Sequence, residues 1–371
     1  MAGVFRRYIL PGLIFQSVII GGGYGTGREI AEFFLAHGAL GGLLGMAVTA
    51  LSWGIILAIA FEFARITKSY NYRAFFRALL GPVWHVFEFV YLAIILLVLS
   101  VLGSAAGEMI AAAFGLPAVF GAILLLAAIG VLAFLGSRTI ERTLAAWSFL
   151  LYGVYAVFFI WVAAASDGAI TAALTNGEAY GAWALSGIRY ASYNLIAIGA
   201  VLFVLPYLET RKEALVSGFL AGMAGIVPGV LVLLAMLAQY PGIEADPVPV
   251  LSLLKAMTAL WFVILFQIVL FGTFIETGVG LIHAVNERVA DAFKDSNWAF
   301  PAWGRLAVAA GLTGLAVFLA GAVGIIDLIA KGYGALSYAF IVLVVVPLLT
   351  IGVYRISKSP SPRREALNDA G

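Results

Sequence analysis

The first long apolar run, Tyr8 to about Leu35, contains Gly21-Gly22-Gly23-Tyr24-Gly25-Thr26-Gly27, and Arg28, Glu29 and Glu32 follow closely. A helix that crosses lipid rarely carries five glycines in seven residues together with three charges. Irregular backbone at membrane depth survives only where protein or a water-filled cavity covers it. The pattern therefore predicts a broken helix that lines a cavity and offers free N–H and C=O groups to a solute.

The composition indicates a membrane protein. The chain is 63% hydrophobic and 11% charged, and its mean hydropathy is +1.07, so a water-soluble domain of this length could not bury its apolar side chains. It has no cysteine, which excludes disulfides and thiolate metal sites. No metalloprotease, nucleophile-elbow or phosphate-loop motif is present, so we expect neither an enzyme nor a resident cofactor beyond a possible bound Na⁺. We expect no nucleic-acid partner.

Apolar runs near 20 residues predict an all-α integral membrane protein with ten transmembrane helices. Prolines and turn residues separate most of these runs. The runs cover about residues 8–36, 40–64, 84–113, 118–136, 143–166, 183–207, 214–239, 258–288, 303–321 and 324–353.

The distribution of Lys and Arg predicts the orientation. With the N terminus inside, 17 of the 21 Lys and Arg residues fall in cytoplasmic segments, and the exceptions are Arg28, Arg189, Lys255 and Lys331. Because cytoplasmic loops carry the excess of basic residues, both termini are predicted to be cytoplasmic, in the inner membrane. Residues 357–371 are predicted to form a disordered cytoplasmic tail after a ten-span domain, residues 1–356.

Ten spans divide into two groups of five whose orientations are opposite, which is the form of an inverted repeat covering about residues 8–167 and 179–355. The sixth span matches the first in being irregular: it contains Ser186-Gly187, a polar stretch at residues 189–194, Gly199 and Pro206. Two broken helices in corresponding places predict a solute site at their crossing, near the bilayer midplane.

Two motifs carry a resemblance to a known family. Residues 20–30, with Phe33-Phe34, and Tyr190-Ala191-Ser192-Tyr193-Asn194 resemble the YkvI family of bacterial membrane proteins, which is grouped with the amino acid, polyamine and organocation transporter superfamily. The resemblance extends over essentially all ten spans. It implies the leucine-transporter fold, in which spans one and six bind solute, spans three and eight complete the pocket, and spans one, six and ten act as gates.

The substrate site is predicted at the glycine break. Freed N–H groups at Gly22, Gly23 and Gly25 begin the outer half-helix, where the positive end of the helix dipole favours a carboxylate. The alternative is that these glycines only permit close helix packing, but packing does not require the adjacent charges. The further pocket candidates are aromatic and polar residues of the first and sixth spans: Tyr24, Tyr190, Ser192, Tyr193 and Asn194.

Glu276 lies deep in the eighth span with Thr273 and Thr277. An uncompensated carboxylate at that depth costs about 2.5 kcal/mol or more on insertion scales, so something must neutralise it. In the related fold, span-eight hydroxyls and span-one carbonyls hold Na⁺, which by resemblance places an ion among these three residues and the carbonyls of Val18 and Gly21. Two alternatives stay open: Glu276 could carry a coupled proton, or it could be neutral and structural.

Four more residues are candidates, and three of them have local alternatives. Ser104 and Glu108 lie in the third span, where Glu108 could bind a substrate amine or could face water near the outer end. The resemblance implies an outer gate between Arg28 and Asp327. Each of these also has an opposite charge four residues away, Glu32 and Lys331 respectively, and such pairs need no gating role.

Together these patterns predict an ion-coupled secondary transporter, driven by Na⁺ or H⁺, for a small amino acid or a related zwitterion or carboxylate. The alternative is a membrane receptor or sensor that uses the same fold without net transport. Membrane lipid and a small-molecule substrate are the expected partners. The oligomeric state does not follow from the sequence.

Overall fold

The computed structural model describes the backbone of residues 2–135, 138–255, 257, 259–295 and 300–359, and these residues form helices without any strand. The helices that carry the architecture are α1 (Leu10–Ile19), α2 (Gly22–Gly25), α3 (Arg28–Phe33), α4 (Gly38–Thr67), α5 (Tyr72–Leu80), α6 (Trp84–Phe114), α7 (Ala118–Leu135), α8 (Arg138–Ala164), α9 (Ala169–Thr175), α10 (Trp183–Asn194), α11 (Ile198–Val201), α12 (Arg211–Gly225), α13 (Val227–Met236), α14 (Pro249–Lys255), α15 (Leu260–Asp295), α16 (Ala302–Val323) and α17 (Ile325–Lys358).

The first predicted span is broken where the glycines predict it. Helix α1 stops at Ile20, whose ψ of 75° leaves the helical region, and Gly21 is extended with a ψ of −160°. One helical turn, α2, follows before Gly27 adopts a φ of +81°, a left-handed conformation that favours glycine. The outer half-helix α3 then begins in a new direction, so the broken first helix is confirmed.

The sixth predicted span differs from the expectation of a second broken helix. Residues Trp183–Tyr207 form one continuous helical segment, which tightens to 3₁₀ geometry at Leu195–Ala197 and again at Leu202–Tyr207. Pro206 lies within the second tightened stretch, where it removes one backbone donor. The correction has a physical reason: Gly187 and Gly199 sit among residues that continue a helix, whereas the first span has five glycines close together.

Helix length and composition support fewer spans than the ten predicted. Seven helices of the described chain are long and apolar enough to cross a membrane, or eight if the bent pair Leu150–Ala164 and Ala169–Thr175 counts as one. The differences fall on the broken first span, whose halves are short, and on the fourth span, where the apolar helix Ala118–Leu132 is also short. The count of ten and the inverted repeat therefore stay predictions.

The spans pack in two groups. Helices α1, α4, α10 and α12 pack on one another, and so do α6, α7, α15 and α16. The first and second predicted spans thus associate with the sixth and seventh, and the third and fourth with the eighth and ninth, as two related halves would require. In lipid, such association depends on close packing of small residues rather than on burial from water.

Glycines make the closest contact between helices α4 and α12. A Cβ on Gly218 would press on the backbone of Leu57, and one on Gly222 would press on the backbone of Trp53 and Gly54. The two backbones therefore touch, which only glycine permits at these positions.

Large apolar side chains remain exposed on the outside of the helices, as with Phe89, Trp303 and Phe318, which are 75%, 73% and 67% exposed. Such an apolar surface matches a lipid environment. At the C terminus the last helix ends at Lys358, and residues 360–371 of the predicted tail lie outside the described residues.

The predicted orientation can be tested by cysteine labelling, since the natural chain has no cysteine. Asn176 and Lys212 are both exposed, on loops predicted to lie outside and inside. We expect Asn176→Cys to react with an impermeant maleimide on intact cells, and Lys212→Cys to react only after permeabilisation. Labelling of Lys212→Cys from outside would contradict the orientation.

Candidate functional site

A cavity of about 520 Å³ lies where the first span breaks. Its walls come from the first, third, sixth and eighth predicted spans, together with Asn71, the first two residues of α5 and one residue of α17. The residues that line it are Ser17, Val18, Ile19, Gly21, Gly22, Glu29, Asn71, Tyr72, Arg73, Trp84, Glu88, Tyr91, Ile94, Val98, Tyr193, Asn194, Ile196, Gly199, Ala200, Glu276, Thr277, Gly280, Leu281, Ala284, Glu287, Arg288 and Tyr333.

The two ends of the cavity differ in access. At the predicted cytoplasmic end, Asn71 is exposed and Arg73 and Glu287 are partly exposed. At the other end Glu29 is 4% exposed and Tyr333 is 2% exposed. The cavity therefore opens toward the predicted inside and is closed toward the predicted outside.

Stacked aromatic rings form the outer closure. The rings of Tyr193 and Tyr333 are parallel within 24° at a centroid distance of 4.7 Å. Phe33 packs on Tyr193 at 5.6 Å, and Phe34 meets the edge of Tyr190 at 4.8 Å. These rings come from α3, α10 and α17, so the closure joins three elements that the resemblance assigns to gating.

Arg28 binds the outer loop that contains residues 244–246, next to this closure. Its guanidinium donates to the carbonyl of Glu244 and, at 3.0 Å, to that of Asp246. The same group pairs with Glu32 at 3.0 Å. Arg28 is 4% exposed, and hydrogen bonds from a charged donor to buried carbonyls are stronger than neutral ones.

The predicted pair between Arg28 and Asp327 does not form in this structure. Asp327 instead pairs with Lys331 at 3.1 Å on its own helix, and Arg28 pairs with Glu32. Both are contacts between residues four apart on one helix, which form without any tertiary arrangement. The local alternatives therefore account for both charges here.

The residues predicted to hold an ion meet at one wall of the cavity. Val18, Gly21, Glu276 and Thr277 all line it, and a Cβ on Gly21 would contact the Thr277 methyl at 3.8 Å. The Thr277 hydroxyl is buried without a hydrogen-bond partner. Thr273 is buried beside them outside the cavity lining, and its hydroxyl donates to the Val269 carbonyl at 2.9 Å.

The helix break leaves carbonyl oxygens unused beside these residues. In the described part of the chain, no backbone N–H outside helix α1 donates to the carbonyl of Val18 or Ile20, and the N–H of Gly21 turns back to Ile19 at 2.9 Å. Unwound carbonyls of this kind coordinate small cations in broken-helix proteins.

The predicted substrate residues divide into those at the cavity and those away from it. Gly22, Tyr193 and Asn194 line the cavity. Gly23, Tyr24, Gly25 and Tyr190 are buried behind its wall, where Tyr24 lies against α12 and α13 and Gly25 faces Leu270. Ser192 bonds to the carbonyls of Arg189 and Ser337. Ser104 and Glu108 are also absent from the lining, and Glu108 is partly exposed near the end of α6.

Five charged residues that line the cavity were not predicted as site residues: Glu29, Arg73, Glu88, Glu287 and Arg288. Glu29 was noted only as a charge beside the glycine break, and its carboxylate accepts a 2.7 Å hydrogen bond from the Tyr193 hydroxyl. Arg288 was counted among the cytoplasmic basic residues, and its guanidinium lies 3.6 Å from the Tyr72 ring and 3.8 Å from the Tyr91 ring. The charge of each residue was visible in the sequence, but the direction in which its side chain points depends on tertiary packing.

The chain is similar to a protein of Bacillus subtilis strain 168 known as the uncharacterized membrane protein YkvI. The two are 24% identical over 288 residues, which cover 74% of this chain and 79% of YkvI. This confirms the resemblance read from the two sequence motifs. No family model matches the chain.

Two solved structures share the fold. MhsT, solved in complex with L-phenylalanine, matches with a TM-score of 0.60 and 18% identity over 94% of this chain and 97% of MhsT. A manganese transporter of Eremococcus coleocola, bound to an aromatic bis-isothiourea compound, matches with a TM-score of 0.50 and 14% identity over 91% of this chain and 77% of that one. At these identities the likeness shows a shared fold. The chain is a helical membrane protein whose structural neighbours have the leucine-transporter fold.

Proposed function

We propose that this protein is a secondary active transporter of a small amino acid or a related zwitterion or carboxylate, coupled to Na⁺ or H⁺. The observation that carries the proposal is the cavity at the helix break, open at one end and closed at the other by aromatic rings and by the Arg28 contacts. Alternating access requires a central site that is reached from one side at a time. With the predicted orientation, the protein is in the inner membrane and this is its inward-open state.

The ion would bind at the wall formed by α1 and α15. Val18, Gly21, Glu276 and Thr277 supply carbonyl, carboxylate and hydroxyl oxygens there, and Thr273 lies one turn before Thr277. The unpartnered Thr277 hydroxyl and the unused Val18 carbonyl support Na⁺. The half-buried Glu276 also supports a coupled proton, since its charge within the span must be balanced by an ion or removed by protonation.

A substrate carboxylate would lie beside the ion. Gly22 lines the cavity at the start of the α2 turn, and no described backbone carbonyl accepts from its N–H. Gly23 and Gly25 support the turn rather than the ligand, because a Cβ at either position would meet a protein side chain. The known L-phenylalanine complex of MhsT supports an amino-acid-sized solute in this fold.

The Glu276→Gln variant separates the two coupling ions. If Glu276 and Thr277 hold Na⁺, the variant should lose Na⁺ dependence of uptake with little change in the pH profile. If Glu276 carries the proton, the variant should retain substrate exchange but lose uptake driven by a pH gradient. Radiolabelled amino-acid uptake into proteoliposomes with imposed Na⁺ or pH gradients measures both.

Glu108→Gln serves as the matched control, because Glu108 is a carboxylate on a membrane helix away from the cavity. Normal uptake by Glu276→Gln under both gradients would rule out coupling at this residue. A wild-type protein that binds amino acids but shows no uptake or exchange would contradict transport and favour the membrane sensor.

Access from outside should depend on Arg28. Ser17 lines the cavity, so Ser17→Cys reports whether a reagent reaches it. Each hydrogen bond to a charged group contributes about 1.5–3 kcal/mol. Losing one such bond would shift the equilibrium between the closed and the open outer end of the cavity by about 10-fold or more. We expect Arg28→Gln to raise the rate of external labelling of Ser17→Cys by at least about 10-fold.

Asp327→Asn is the informative comparison for this measurement. Because Asp327 pairs with Lys331 and not with Arg28, we expect no change in external labelling from this substitution. Equal increases from Arg28→Gln and Asp327→Asn would instead support the gate pair predicted from the sequence.

A further inference from the structure

Four acidic side chains line the cavity, and the proposed ion site uses only Glu276 among Glu29, Glu88, Glu276 and Glu287. The most buried of the four is Glu29, on the first turn of the outer half-helix α3. It is 4% exposed, which places it at the closed end of the cavity. Carboxylates in such a position are rare in membrane helices and face cavities or partners when they occur.

Aromatic groups surround the cavity side of Glu29. The Tyr193 hydroxyl donates to its Oε2 at 2.7 Å, and the Tyr193 ring stacks on Tyr333 at 4.7 Å. All three residues line the cavity. A carboxylate beside the faces of tyrosine rings attracts a cation twice, through its own charge and through the ring quadrupoles.

The glycine break makes room for this carboxylate. A Cβ on Gly23 would overlap the Glu29 carboxyl group, so any other residue at position 23 would displace it. The absence of a side chain at Gly23 therefore has a specific structural consequence: it lets Glu29 lie against the backbone of the break and reach the cavity.

Glu29 has no basic partner in the structure. None of the ion pairs among the described residues includes it, while its neighbour Arg28 points to Glu32 and the outer loop. One hydrogen bond from Tyr193 does not balance a buried negative charge. Its charge must then be balanced by a cation from the cavity or removed by protonation.

We propose that Glu29 binds the ammonium group of the substrate, with the Tyr193 hydroxyl orienting the carboxylate and the Tyr193 and Tyr333 rings lining the site. The substrate class is then solutes with a protonated amino group, and the amine is required for recognition. This inference rests on the proposed function only in assuming that the cavity receives a small solute. It places the amino group at the outer, closed end of the cavity.

The test is binding to the purified full-length protein, measured by thermal shift and calorimetry at pH 7. The probes are three matched sets that each contain an amino acid, its amine and its acid. They are alanine, ethylamine and propionate; leucine, 3-methylbutylamine and 4-methylpentanoate; and phenylalanine, 2-phenylethylamine and 3-phenylpropionate. We expect the best-fitting set to bind as amino acid and as amine, and the acid to bind much more weakly.

Glu29→Gln should weaken binding of that amino acid and amine by about 10- to 100-fold, the factor expected for a lost hydrogen bond to a charged group. It should leave weak binding of the acid unchanged. Glu32→Gln is the matched control: it removes a carboxylate one turn along α3 that is absent from the cavity lining, and we expect wild-type affinity for the amine.

Gly23→Ala keeps the inference testable if Glu29→Gln does not fold. We expect Gly23→Ala to weaken amine binding in the wild-type background, since it displaces the carboxylate, and to have little effect in a Glu29→Ala background. Such non-additivity would show that Gly23 acts through Glu29. Equal effects of Gly23→Ala in both backgrounds would contradict it.

The inference is overturned if no amine or amino acid of the three sets binds the wild-type protein, or if Glu29→Gln binds them with unchanged affinity. Loss of pH-driven uptake with amine affinity retained would also overturn it and make Glu29 a proton carrier. Uptake that survives Glu29→Gln leaves the transporter proposal standing. Glu29-dependent amine binding without uptake keeps the inference and removes the transporter proposal instead.

Discussion

Backbone polar groups inside a membrane need partners, and the rest of this structure depends on how that constraint is met at the first helix. Breaking the helix between Ile19 and Gly22 removes helical hydrogen bonds from several carbonyls and N–H groups in the lowest-dielectric part of the molecule. Helices α6, α10 and α15 surround the break, and a cavity lies next to it. The same groups that are costly in lipid become ligands in a cavity.

The acidic side chains at the cavity meet the same constraint, because a charge within a membrane also needs a partner. Each deep acidic residue has a different kind of compensation available: Glu276 lies beside a free hydroxyl and open carbonyls, and Glu29 lies beside a tyrosine hydroxyl and aromatic faces. Arg28, by contrast, is held by two backbone carbonyls and by Glu32. Arg28 and Glu29, which are adjacent on the short helix α3, therefore have different surroundings. Arg28 contacts the outer loop, and Glu29 lines the cavity.

The sequence predicted the features that depend on local chemistry. Clustered glycines cannot continue a membrane helix, so the break was visible, and a Glu with nearby Thr residues in an apolar run predicted the polar wall at Glu276 and Thr277. Features that depend on tertiary packing were not visible. Gly23 was expected to contact a ligand and instead makes room for Glu29, and Ser192 was expected in the pocket but ties α10 to α17. The isolated glycines of the sixth span did not break the helix, because the residues around them continue it.

The backbone contact of α4 with α12 bears on how such a molecule can change shape. Gly218 and Gly222 touch the backbone of the facing helix, so neither helix can slide or rotate past the other without a steric clash. We therefore expect the two helices to move together as one rigid unit. Motion is then confined to the seam between the two packing groups, which is where the cavity lies. Substitutions along that seam should alter the rate of interconversion between the conformations of the protein. Substitutions at the glycine crossing should instead affect the packing of α4 on α12.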